Sequence, residues 1–171
     1  MPKTSELYDR DFFLWTQEQA AALRAVRKSD LPLDWDNLAE EIGSLGKSQR
    51  TELNSQVRRI LRHLFELEVS RAADPRAGWR TTVRDARSEI EDLLEASPTL
   101  RREIDAVVKR QGTSAAKLAA YDLENHGEPA EAWARLEKGG FTAEQVTGDW
   151  FRTPRASSAQ APRPAVCGGR P

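Results

Sequence analysis

Residues 48–69 read Ser48-Gln49-Arg50-Thr51-Glu52-Leu53-Asn54-Ser55-Gln56-Val57-Arg58-Arg59-Ile60-Leu61-Arg62-His63-Leu64-Phe65-Glu66-Leu67-Glu68-Val69. Leu53, Val57, Ile60, Leu61, Leu64 and Leu67 recur at intervals of three and four, the period of a helix with one buried face. Arg58, Arg59 and Arg62 lie on the other face. Nothing in the chain alternates with the period of a strand, so the expected fold is all-α. Upstream, Asp34 is placed to cap a helix carrying Trp35, Leu38, Ile42 and Leu45 in one stripe. Gly46 suits the C-terminal cap of that helix, and Ser48 suits the start of the next. Further upstream an aromatic run from Tyr8 to Trp15 meets Thr16 and Gln19, which have capping-box spacing and predict a helix start at Thr16.

Downstream, Asp74-Pro75 predicts an N-cap followed by proline at the first helical position. The helix behind it has its stripe at Trp79, Val83, Ala86, Ile90, Leu93 and Leu94. Ser97-Pro98 repeats the punctuation before Leu100, Ile104, Val107 and Val108, and Gly112-Thr113-Ser114 is read as a kink or short break. Ala115, Leu118, Ala119 and Leu123 continue a helix to His126-Gly127. Thr142 and Gln145 form a further capping box for a short helix toward Trp150-Phe151. Residues 152–171 are rich in Pro, Ala, Ser, Arg and Gly with no apolar period, the composition of a disordered tail. The expectation is one domain over residues 1–151, a bundle of about six or seven helices, followed by that tail.

Composition excludes several classes of protein. The formal net charge of −1 offers no whole-molecule field for nucleic acid or an anionic membrane. Charge is uneven, however: the first 46 residues are rich in Asp and Glu, and the middle of the chain leans basic. The simplest account is an acidic segment folded onto a basic one. A single cysteine, Cys167, makes neither an internal disulfide nor a cysteine zinc site. No apolar run approaches the roughly 18–20 residues of a membrane span, and no signal-peptide apolar region is present, so a cytoplasmic protein is expected.

Several separated motifs also resemble one family, the domain of unknown function 29 family of uncharacterised helical bacterial proteins. They are Tyr8-Asp9-x-Asp11-Phe12-Phe13-x-Trp15-Thr16-Gln17-Glu18-Gln19-Ala20, Leu38-Ala39-Glu40-Glu41-Ile42-x-x-Leu45-Gly46-x-Ser48, Leu61-x-His63-Leu64, Trp79-Arg80-x-Thr82-Val83 and Leu93-Leu94-x-x-Ser97-Pro98-x-Leu100. Phe141-Thr142-x-Glu144-Gln145-Val146 and Asp149-Trp150-Phe151 extend the likeness to residue 151. The resemblance implies an all-helical bacterial protein and brings no activity, cofactor or catalytic residue. Pro129-Ala130-Glu131-Ala132-Trp133 and Ala77-Gly78 depart from the family's usual pattern.

Three constellations are candidates for function. Glu40, Glu41 and His63, with Arg80, would form a polar site if their helices were neighbours, suited to acid–base work or, with Glu66 three residues beyond His63, to a divalent metal. The paired Glu-x-x-His pattern of di-metal bundles is missing, so no metal, cofactor or catalytic residue is assigned. Arg76, Arg80, Arg84 and Arg87 share one helix face and, with Arg58, Arg59 and Arg62, are candidates for binding phosphate or nucleic acid. Tyr8, Phe12 and Trp15 are candidates for an interface if they stay outside the core. With no phosphate loop, dinucleotide glycine pattern or nucleophile elbow, the favoured function is a protein-interaction or regulatory module, its partner another protein or a second copy. Nucleic acid is the second expectation, and an enzyme centred on Glu41 and His63 the third.

Overall fold

The structure is a computed structural model that describes residues 4–26, 31–128 and 132–151. Its elements are α1 (Thr4–Arg10), α2 (Phe12–Ala25), α3 (Trp35–Val69), α4 (Arg76–Ala96), a 3-10 segment (Pro98–Glu103), α5 (Ile104–Asn125), α6 (Ala132–Glu137) and α7 (Ala143–Thr147). The fold is all-α, and among the described residues there is no strand. No described helix is long and apolar enough to cross a membrane. The expected tail at 152–171, with Cys167, lies outside the described residues.

The stretch 48–69 forms the second half of α3 and runs through the middle of the core. Leu53, Val57, Ile60 and Phe65 are completely buried. They meet Val83, Ala86, Ile90 and Leu94 of α4 and Val107, Ala115, Ala116 and Ala119 of α5. Each fully buried large apolar side chain contributes about 1.5–3 kcal/mol. Phe141 and Val146 close one end, with the Phe141 ring centred 5.0 Å from that of Phe65.

Three expected boundaries are corrected. The two helices expected on either side of Gly46 are one continuous helix of 35 residues, about 52 Å long. Gly46 is no cap: it is buried where α2 crosses, and the Ser48 hydroxyl donates back to Ser44 O at 3.0 Å instead of starting a new helix. Nor does Thr16 start a helix. Asp11 caps α2, its Oδ1 accepting from Leu14 N at 2.9 Å, while Thr16 is fully buried a turn inside and donates to Phe13 O. At the third boundary Pro75 holds the N-cap position of α4 with no side-chain cap, so Asp74 does not cap it.

The remaining punctuation differs in detail. Pro98 opens a 3-10 segment ahead of α5, and α5 runs unbroken through a buried Gly112. Thr142 and Gln145 form the expected capping box, Gln145 N donating to Thr142 Oγ1 at 3.2 Å and Thr142 N to Gln145 Oε1 at 3.0 Å. That helix ends at Thr147, short of Trp150. His126 caps α5, and Gly127 follows with φ +72°, the left-handed conformation glycine adopts freely.

Candidate functional site

The aromatic segment at the N-terminus divides between inside and outside. Phe13 is buried, with the Arg50 guanidinium 5.0 Å from its ring centre, and Arg50 in turn forms a two-pronged pair with Glu103. Phe13 N donates to Ser97 Oγ at 3.0 Å, and that hydroxyl donates to Gln49 Oε1 at 2.5 Å. Asp11 Oδ2 accepts from Thr99 N at 2.7 Å. Two motifs more than eighty residues apart in the chain, Asp11-Phe12-Phe13 and Ser97-Pro98, therefore fasten to each other. Tyr8, Phe12 and Trp15 take no part in this. They pack on one another outside the core, with ring centres 4.9–5.7 Å apart, and Tyr8 is 49% exposed.

The same division extends along α3. α2 lies against it through small residues, with Gly46 opposite Thr16 and Gly43 opposite Ala20. These contacts run in opposite directions along the two helices, so the hairpin is antiparallel. A residue one position before a contact lies about 100° round its helix. In an antiparallel pair both such sets turn to the same side. That side carries Phe12, Trp15 and Leu23 from α2 and Leu38, Ile42 and Leu45 from α3. Leu38 and Leu45 are 40% and 49% exposed. The stripe expected from Trp35 to Leu45 therefore exists, but it faces away from the core while glycine and alanine pack inside.

The expected grouping of Glu40, Glu41, His63 and Arg80 does not form. Glu40 and Glu41 are exposed near the start of α3, and His63 lies twenty-two residues along the same unbroken helix, about 33 Å away. Without a turn at Gly46, nothing folds the carboxylates back. His63 instead pairs with Glu66, Nδ1 to Oε2 at 2.7 Å. Glu66 is almost completely buried and also receives Arg62 Nε at 3.3 Å, while Arg62 reaches Asp122 of α5. A buried carboxylate is tolerated only when paired and hydrogen-bonded in this way. This Asp122–Arg62–Glu66–His63 chain lines a cleft of about 940 Å³, walled also by Trp79 and by the α3–α4 turn. The spacing of His63 and Glu66 was visible in the sequence; the partners from α4 and α5 were not.

The seven arginines do not make one basic surface. Arg76 donates to Leu67 O at 2.6 Å and Ser70 O at 2.9 Å, closing the end of α3. Arg87 is buried and donates to Val146 O, Gln145 O and Trp150 O. Both satisfy carbonyls that helix ends leave without partners, and burial pushes both guanidinium groups below their ordinary pKa. Arg62 is held in the ion-pair chain, Arg59 donates to Gln56, and Arg84 lies 5.5 Å from the Phe151 ring centre. Arg58 is exposed and Arg80 half-buried. Among the described residues, Glu40 and Glu41 of the acidic N-terminal region make no ion pair with these arginines.

Glu128 locks the turn after α3 by accepting from Ser70 Oγ at 2.7 Å and Arg71 N at 2.8 Å. Burial raises its pKa, but the bonds from Ser70, Arg71 and Ala72 and the nearby His126 outweigh that and hold it below the ordinary carboxylate value. A carboxyl depressed by folding stabilises fully above its unfolded pKa, and the contribution disappears as pH falls through the folded value. Wild-type stability is therefore expected to fall more steeply with acid than that of Glu128→Gln, from the ordinary carboxylate range downward. Urea midpoints measured across that range check this, and parallel curves would refute it.

An all-α architecture, with separated motifs clamped together around a long central helix, defines the class to which the chain can be compared. The family described as "Domain of unknown function DUF29" matches residues 7–139, and the chain belongs to that family. An alpha-helical protein of unknown function from Rhodospirillum rubrum, solved by crystallography, is similar to it at 26% identity. The match covers 83% of this chain and 89% of that one, with a TM-score of 0.57. No curated protein matches the chain.

Proposed function

We propose that the protein is an interaction module that pairs with a second copy of itself through the exposed face of the α2–α3 hairpin. The observation that carries this is the inverted packing of the hairpin, with glycine and alanine inside and Leu38 and Leu45 outside. Two antiparallel helices with one uncovered apolar face are half of a four-helix bundle, and a copy related by a two-fold axis supplies the other half. Helices about 22 Å long and 8–10 Å apart present a strip roughly 22 Å by 20 Å. With side-chain relief, two such strips cover about 1,200 Å² in total, the lower end of stable interfaces. Tyr8, Phe12 and Trp15 extend the strip at one end. In this hairpin acidic side chains outnumber basic ones, so two copies repel weakly and the pairing is expected to tighten as salt screens them.

The arginine surface supports nucleic-acid binding less well, since Arg76 and Arg87 are spent on carbonyls. Glu41 and His63 are too far apart to act together in catalysis. The proposed setting is a bacterial cytoplasm, on the grounds of the family resemblance and the single cysteine. Light scattering across a concentration series tests the pairing. The wild type should approach twice the chain mass, and the double variant Leu38→Asp, Leu45→Asp should stay a monomer with unchanged helicity. A wild type that is monomeric throughout, or a double variant that still pairs, overturns the proposal.

A further inference from the structure

The cleft beside His63 has no role in that pairing. Its ionic groups fall into two sets. Arg62 bridges Glu66 and Asp122, His63 is hydrogen-bonded to Glu66, and the Glu128 carboxylate is held by Ser70 and the Arg71 amide. The side chains of Arg71, Asp74, Trp79 and His126 also line the space and make no hydrogen bond or ion pair among the described residues, although His126 lies close enough to Glu128 to act on its charge. His63 adds one more free group. With Nδ1 turned to the buried Glu66, its Nε2 has no hydrogen-bond partner among the described residues.

Each free group has a distinct complement. A guanidinium and an imidazole together recognise a phosphate, the guanidinium with two parallel bonds. A carboxylate accepts from the hydroxyls of a ribose, as in dinucleotide folds. An indole offers a face on which a base stacks regardless of its identity. An imidazole nitrogen oriented by a buried carboxylate accepts from one further hydroxyl. A volume of about 940 Å³ lies within the range of small-molecule sites.

We propose that this cleft is a binding site for a nucleoside monophosphate, with the base on Trp79, the phosphate toward Arg71 and His126, and the ribose toward Asp74 and His63. The site lies beyond the α2–α3 face and does not depend on the pairing. The fully buried Glu66 holds the His63 ring in place; an apolar side chain there would serve the core as well or better.

Calorimetric titration of the full chain with the adenosine, guanosine, cytidine and uridine monophosphates tests the site, with adenosine and inorganic phosphate as controls. At least one nucleotide should bind saturably, more tightly than either control. Arg71→Glu, at an exposed residue whose side chain makes no hydrogen bond or ion pair among the described residues, should weaken that binding by about tenfold or more. Trp79→Leu should weaken base-dependent binding, with circular dichroism confirming that the variant is folded. Arg58→Glu, away from the cleft, should leave the affinity unchanged. Absence of saturable heat for all four nucleotides overturns the proposal. So does phosphate binding as tightly as the nucleotides, or an affinity unaffected by Arg71→Glu.

Discussion

Replacing Arg87 by leucine is expected to cost about 3–5 kcal/mol of stability and to release the C-terminal end of the domain. Arg87 is 5% exposed and donates three bonds of 2.9 Å, from Nε to Val146 O and from one terminal nitrogen to Gln145 O and Trp150 O. Its guanidinium also lies 4.8 Å from the Phe151 ring centre. Burial disfavours the cation, the nearby Asp149 partly offsets that, and Arg84 adds to it. The helix it closes, α7, has five residues and no stability of its own at that length. Leucine would fill the space but leave three carbonyls without this donor, the bond to Val146 O being buried and those to Gln145 O and Trp150 O partly buried. Lysine should not rescue, because one ammonium does not reproduce a planar fork with several fixed donors. Urea unfolding with hydrogen exchange at Val146 checks the result. A loss below about 1 kcal/mol would show that the arginine is not what secures this end.

Gly46→Ala is expected to destabilise by about 1–3 kcal/mol, against the sign given by helix propensity. In an isolated helix, replacing a mid-helix glycine by alanine gains about 1 kcal/mol. Here an added Cβ would overlap the Thr16 hydroxyl and lie 3.1 Å from Gln17 Nε2. Thr16 is completely buried, is stiff at its branched Cβ and uses its hydroxyl to bond Phe13 O at 2.7 Å, so it cannot swing away cheaply. α2 and α3 must part instead. Two companion variants separate this from a general intolerance of the helix. At Gly43 the nearest atom to an added Cβ is Ala20 Cβ at 3.7 Å, an ordinary contact, so Gly43→Ala should be neutral or stabilising. Adding Thr16→Ala to Gly46→Ala removes the overlapping hydroxyl and should recover part of the loss, a non-additivity expected of touching residues. If Gly46→Ala stabilises as Gly43→Ala does, the close crossing is refuted.

Much of the architecture is legible in residues read singly. Leu53, Val57, Ile60, Leu61, Leu64 and Leu67 announce their helix because a helical period with one apolar face has one common use. Asp34 and the Thr142–Gln145 box act through bonds three residues long, so their spacing carries the information. Gly46, Thr16 and Asp74 mislead for one shared reason: glycine, threonine and aspartate serve both at helix ends and at close packing or turn positions, and only the neighbour distinguishes these uses. The arginine row misleads similarly. Its spacing is real, but Arg76 and Arg87 are committed to carbonyls supplied by other elements.

From its own order of residues the chain determined that it would be helical and which stripes would exist, since these depend on local period and turn chemistry. Tertiary structure alone decided where each stripe points. α2 reaches α3 through Gly43 and Gly46, and so takes the small side of that helix and leaves Leu38 and Leu45 outside. The continuity of α3 places Glu41 and His63 about 33 Å apart, and gives His63 a buried carboxylate and a cleft in exchange. Helical period is a property of one segment; burial is a property of two surfaces meeting.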